Sequence, residues 1–85
     1  MRLDKYLKIS RLIKRRTIAK EVCDKGKINI NGRLAKSSTE VKIGDVLELN
    51  FGSKLIKVRI NDTSSTTPAN SAKEMYEIIE ERRLE

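Results

Sequence analysis

Gly26-Lys27-Ile28-Asn29-Ile30-Asn31-Gly32 is the stretch on which the fold turns. Up to Gly26 the apolar residues recur at helical spacing. Beyond it Ile28 and Ile30 alternate with Lys27 and Asn29, the period of a strand with one buried face. Asn31-Gly32 is a pair favoured by two-residue hairpin turns, whose central positions need positive φ, and Leu34 begins the returning strand. The stretch predicts a helical N-terminal part that hands over to an antiparallel sheet.

Toward the N-terminus, residues 17–25 read as a helix, with Ala19, Val22 and Cys23 on one face and Gly26 in the position that commonly ends a helix in the left-handed conformation. Ile18 is a further candidate for burial. Residues 10–13 read as a connection. Before them, Leu3 and Leu7 stand four apart on one face of a short first helix, with Asp4, Lys5 and Lys8 on other faces.

Toward the C-terminus, Val41 and Ile43 lead into the turn Gly44-Asp45, residues 46–51 read as a strand, and Gly52-Ser53 turns into a further strand over 55–60. Residues 61–70 are polar and lack apolar periodicity, which predicts a flexible linker. Ser71-Ala72-Lys73-Glu74 has the spacing of a capping box, and Ala72, Met75, Tyr76 and Ile79 share a helical face. An amphipathic acidic helix is therefore expected over 71–85, free to dock on the body or on a partner. The fold class is α+β: two N-terminal helices packed on a small, mostly antiparallel sheet in residues 1–60, a linker over 61–70, and the C-terminal helix. The chain shows no internal repeat.

Charge is distributed unevenly. The chain carries +7 overall, yet residues 1–60 hold 16 basic and 6 acidic side chains, whereas residues 61–85 hold 3 and 6. Ten of the cations fall within residues 2–27. Excess cation of this kind attracts polyanions in a salt-dependent way, and RNA, DNA and an anionic membrane all answer to it. With one cysteine and no histidine, neither an internal disulfide nor a Cys/His zinc site is available, so no metal or other cofactor is expected. The charged start of the chain and the lack of a long apolar run predict a soluble, cytoplasmic protein.

The cations of Lys14-Arg15-Arg16-Thr17 fall at the expected start of the second helix, where free N–H groups and the helix dipole favour anions. A phosphate there would reverse the conflict, because helix N–H groups and arginine forks bind the same ligand. Arg16 and Lys20 share a helical face, and Arg2, Lys5 and Arg11 lie on the neighbouring helix and loop. Lys14, Arg15, Arg16, Lys20, Arg2, Lys5 and Arg11 are thus the candidate RNA-binding residues. Asp4 has no second acid or histidine with which to form an acid/base pair, so it reads as a first-turn helix charge or as a group that orients an arginine. Cys23 reads as core. Only Tyr6, Phe51 and Tyr76 are aromatic, too few for a stacking platform, which favours a structured RNA recognised by phosphate and shape.

Arg2-Leu3-Asp4-Lys5-Tyr6-Leu7, then residues 14–20, then residues 26–32, then Val41-Lys42-Ile43-Gly44-Asp45 stand in an order that resembles the RNA-binding domain named after small-subunit ribosomal protein S-four. The resemblance spans about residues 1–52. Within that superfamily the chain is similar to the RqcP family of bacterial ribosome-associated quality control and to the fifteen-kilodalton heat-shock protein family. The former resemblance implies a factor, not an enzyme, that binds large-subunit rRNA and peptidyl-tRNA on obstructed large subunits. It also implies support of C-terminal alanine-tail elongation, with RqcH as tail-elongating partner and a monomeric state. Arg2 and Arg16 would be the main rRNA contacts, flanked by Lys5, Arg11, Lys14, Arg15 and Lys20. Competing readings are a large-subunit recycling factor like the heat-shock relatives, a general DNA- or nucleoid-binding protein, and an rRNA-modifying enzyme, for which no catalytic domain is present.

Overall fold

A computed structural model describes residues 1–64 and 69–84. The first helix, α1 (Leu3–Ile9), has seven residues, too few to persist alone in water. It is held by packing, since Leu3, Tyr6 and Leu7 are completely buried. The second, α2 (Arg16–Asp24), buries Ala19 and Cys23 and half-buries Val22. Ile18 is exposed instead of buried, because it sits about 100° round the helix from Ala19 and faces away from the core. At the end of α2, Gly26 adopts φ 73°, with its N–H donating to the Cys23 carbonyl and the Lys27 N–H to that of Val22. This is the Schellman arrangement that the glycine announced.

The sheet that follows comprises β1 (Ile28–Ile30), β2 (Arg33–Leu34), β3 (Val46–Asn50), β4 (Lys54–Ile60) and β5 (Tyr76–Arg83). Among the described residues its order is β2-β1-β3-β4-β5, and every neighbouring pair is antiparallel. Asn31 and Gly32 take φ 50° and 82° at the hairpin turn. The Asn31 carboxamide accepts the Val46 N–H (2.9 Å) and donates to Asp45 (3.0 Å), tying this turn to the start of β3. The pairings Ile28 with Leu49, Ile30 with Leu47 and Leu47 with Val58 stack apolar side chains on one face, which packs against α1 and α2.

The C-terminal segment departs from the expected helix over 71–85. It forms a 3-10 segment, Ala69–Met75, and then β5, which pairs with β4 along the length of that strand. The physical reason lies outside the segment. β4 offers an open edge with Lys54, Lys57 and Arg59 on it, and Glu81, Glu80 and Glu77 of β5 pair with them at 3.4, 3.9 and 2.6 Å. Ile60 also meets Tyr76, and Val58 meets Ile78. These cross-strand pairs outweigh a capping-box pattern that is only local. Met75 is completely buried, and its carbonyl accepts the Tyr6 hydroxyl (2.8 Å) and the N–H groups of Asn61 (2.7 Å) and Asp62 (3.1 Å). Of the expected linker over 61–70, residues 61–64 have no regular secondary structure and residues 65–68 lie outside the described residues, as does Glu85.

Candidate nucleic-acid interface

The start of α2 is built as its sequence implies. Arg15 occupies the N-cap position in an extended conformation, no side chain caps the helix, and its first turn contains no acid. The N–H groups of that turn therefore have no anionic neighbour on their own helix.

The carboxylate that meets Arg16 comes from α1. Asp4 stands in the first turn of α1 and is only 3% exposed. One of its oxygens, Oδ1, accepts the Lys5 N–H at 2.8 Å and an Arg16 Nη2 at 3.4 Å, and the other, Oδ2, accepts an Arg2 Nη2 at 3.3 Å. One buried carboxylate thus holds two guanidinium groups from different elements, both of them half exposed. The pair keeps one unit of positive charge beyond what Asp4 neutralises, and each planar fork retains N–H groups free to grip a further anion. A buried charge persists only when it is paired, so Asp4 needs its arginines as much as it positions them. Of the two roles that the sequence left open for Asp4, the structure shows both.

The remaining predicted residues lie on the same two helices and the segment between them. Arg11 follows α1, Lys14 lies in the connection, Arg15 caps α2 and Lys20 stands one turn beyond Arg16; all four are exposed, and Lys5 on α1 is half-buried. Among the described residues none of these five forms an ion pair. Their charge is left for solvent or for a ligand.

Arg11 carries a feature that its identity hid. It ends α1 with φ 63°, a left-handed conformation that glycine or asparagine usually supplies, and its N–H donates to the Lys8 carbonyl. A side chain other than these in that conformation costs roughly 1–2 kcal/mol. Such strain collects at functional sites. The sequence signal would have been a helix that stops without a glycine after it.

The remaining reactive groups are quiet. Burial, then the charges of Asp4 and Asp24, push the Cys23 thiol up to about 11, so it stays a protonated core group at neutral pH. Burial first, then Tyr76 and Asp62, raise the Tyr6 hydroxyl, which remains a donor to Met75. Among the described residues no helix is long and apolar enough to cross a membrane.

The family model of the S4 domain matches residues 1–47, which contain both helices and the whole arginine pair. The chain belongs to the S4 domain family. Its similarity to individual members runs further than the domain. It is 58% identical over its full length to the RQC P-site tRNA stabilizing factor of Streptococcus pneumoniae, covering 97% of that protein. It is 56% identical over 99% of its length to the protein of the same name from Bacillus subtilis, covering 98% of it. The solved structure of trimeric heat shock protein 15 from Vibrio cholerae matches with a TM-score of 0.83 at 33% identity, covering 92% of this chain and 80% of that one. The shared architecture therefore reaches well past the S4 domain itself.

Proposed function

We propose that this S4 domain protein is an RNA-binding factor of ribosome-associated quality control, acting in the cytoplasm on obstructed large subunits. There it binds large-subunit rRNA and peptidyl-tRNA and supports elongation of a C-terminal alanine tail by RqcH. The observation that carries the reading is the arginine pair: Arg2 and Arg16, from separate elements, are set side by side by buried Asp4 at a helix start that has no acid of its own. A phosphate bound there would meet two guanidinium forks and the N–H groups of α2 together. Lys5, Arg11, Lys14, Arg15 and Lys20 extend this contact along the RNA backbone. The role is one of binding and positioning. Support for the pathway comes from full-length relatives that are named as stabilizing factors for P-site tRNA.

The test is sedimentation of the tagged protein through a lysate gradient. It should travel with free large subunits that carry peptidyl-tRNA and RqcH, and leave them steeply as salt rises, because several phosphates must be neutralised. A protein that stays at the top of the gradient at low salt, or that duplex DNA displaces as well as unlabelled subunits do, defeats the proposal. Similarity to heat shock protein 15 favours a second reading, large-subunit recycling. Deleting the protein separates the two: stalled chains lose their alanine tails under the first reading and keep them under the second.

A further inference from the structure

A second group of cations gathers at the opposite end of α2. The turn Lys25-Gly26-Lys27 sets two lysines beside a cleft of about 290 Å³ that Val22, Asn50, Phe51 and Gly52 complete. None of these lining residues is acidic. Phe51 is 40% exposed, whereas the two other aromatic side chains of the protein, Tyr6 and Tyr76, are buried and half-buried. The Asn50 carboxamide oxygen accepts the Gly52 N–H (2.8 Å), which fixes the group; its NH2 has no partner among the described residues.

The far side of the same turn carries cations as well. Ser53, Lys54, Glu81 and Arg83 line a neighbouring cleft, and the β4–β5 register sets Lys54 directly opposite Arg83. Like charges directly opposite each other weaken a sheet, and Glu81 relieves only the Lys54 side at 3.4 Å. The turn between β3 and β4 thus presents a flat apolar ring with lysines on one flank and a lysine–arginine pair on the other.

We propose that this cleft receives an unpaired nucleotide of the bound RNA, its base stacked on Phe51 and its phosphates held by Lys25 and Lys27. Lys54 and Arg83 take the next phosphate along the strand, and the Asn50 NH2 donates to a base edge. An aromatic ring stacks on any base, while cations on both sides follow the backbone, the pairing of features by which single-stranded RNA is bound. Arg16 and Lys25 lie about 14 Å apart along the helix axis, so one RNA strand can run from the arginine pair to this cleft. The inference rests on the RNA-binding reading of the α1–α2 face and adds a second contact of different chemistry.

Two assays on the full chain separate the two sites: fluorescence anisotropy with a fluorescein-labelled poly(A) RNA oligonucleotide, and co-sedimentation with purified large subunits. Phe51→Ala should weaken oligonucleotide binding about tenfold, as expected for loss of one stacked base, and Phe51→Tyr should restore it. Lys25→Ala with Lys27→Ala should weaken it and flatten its salt dependence. Arg16→Ala should abolish subunit binding and, because the strand runs on to the arginine pair, also weaken oligonucleotide binding, and Phe51→Ala should weaken it further in that background. Oligonucleotide binding by Phe51→Ala equal to wild type overturns the cleft. A Phe51→Ala protein impaired only on subunits overturns the nucleotide and points to a protein partner. Normal subunit binding by Arg16→Ala instead removes the α1–α2 reading, and the cleft then stands or falls by the Phe51 result alone.

Discussion

On β5, Glu77, Glu80 and Glu81 each meet a cation of β4; around the start of α2, two of the seven candidate cations, Arg2 and Arg16, pair with Asp4, and the other five form no ion pair among the described residues. The first region answers these three glutamates within the fold. The second leaves most of its cations unanswered and adds a left-handed arginine beside them. Local rules kept on one side of a small protein and broken on the other support the proposed side for RNA contact, since breaches without an internal benefit are expected at functional sites.

The largest effect should come from removing the region that obeys the rules. Deleting residues 71–85 strips the edge of β4, empties the place of Met75 and leaves the buried Tyr6 hydroxyl without its acceptor. Replacing a single buried methionine by alanine costs about 2–5 kcal/mol, and a domain this size has only about 4–13 kcal/mol in total. Urea denaturation of the truncated protein should show no cooperative transition; a transition like that of the full chain would mean that β5 is an accessory.

Arg16→Ala should do the reverse, reducing large-subunit binding by more than about tenfold while the urea midpoint barely moves. Two opposed terms keep stability level: relief of a cation at a helix start, about 0.3–1 kcal/mol, and loss of one of the two partners of Asp4. Arg16→Lys should recover only part of the binding, since lysine keeps the charge without the planar fork. A binding defect explained by a collapsed thermal midpoint would erase the distinction between the two regions.

Arg11→Gly sharpens it. Glycine accepts φ 63° freely, so the variant should gain about 1 kcal/mol of stability in urea while its affinity for subunits falls. Unchanged affinity would make Arg11 a strained residue without a use. The smallest effect is expected at Glu77→Gln, which breaks the exposed 2.6 Å pair with Arg59: about 0.2–1 kcal/mol of stability and normal subunit binding.

Most of the body was legible because its signals are local. Asn31-Gly32 marks the hairpin, Gly26 ends α2, and the alternation around Leu47 and Leu49 places β3, all without reference to distant residues. The misfit of Lys14-Arg15-Arg16 with a helix start was legible in the same way. What could not be read was β5. Its pattern is interrupted by a register slip: Lys57 faces Glu80 and Val58 faces Ile78, so Ile79 is an extra residue that shifts the alternation by one. The slip turns a period-two pattern into one that resembles helical spacing, and only the cations of β4, some twenty residues earlier in the chain, decide between them. The joining of Arg2 to Arg16 by Asp4 was legible as a possibility for Asp4, and the fold supplied the second arginine.

The bond from the Tyr6 hydroxyl to the Met75 carbonyl joins residues 69 positions apart. Contacts of such long separation form slowly, because the chain between them must first be closed into a loop. During synthesis α1 and α2 are made early, and Met75 and β5 are the last parts of the core to leave the ribosome. A nascent copy therefore shows its arginines before its core can close, and stable presentation of the arginine-bearing face has to wait until β5 has left the ribosome.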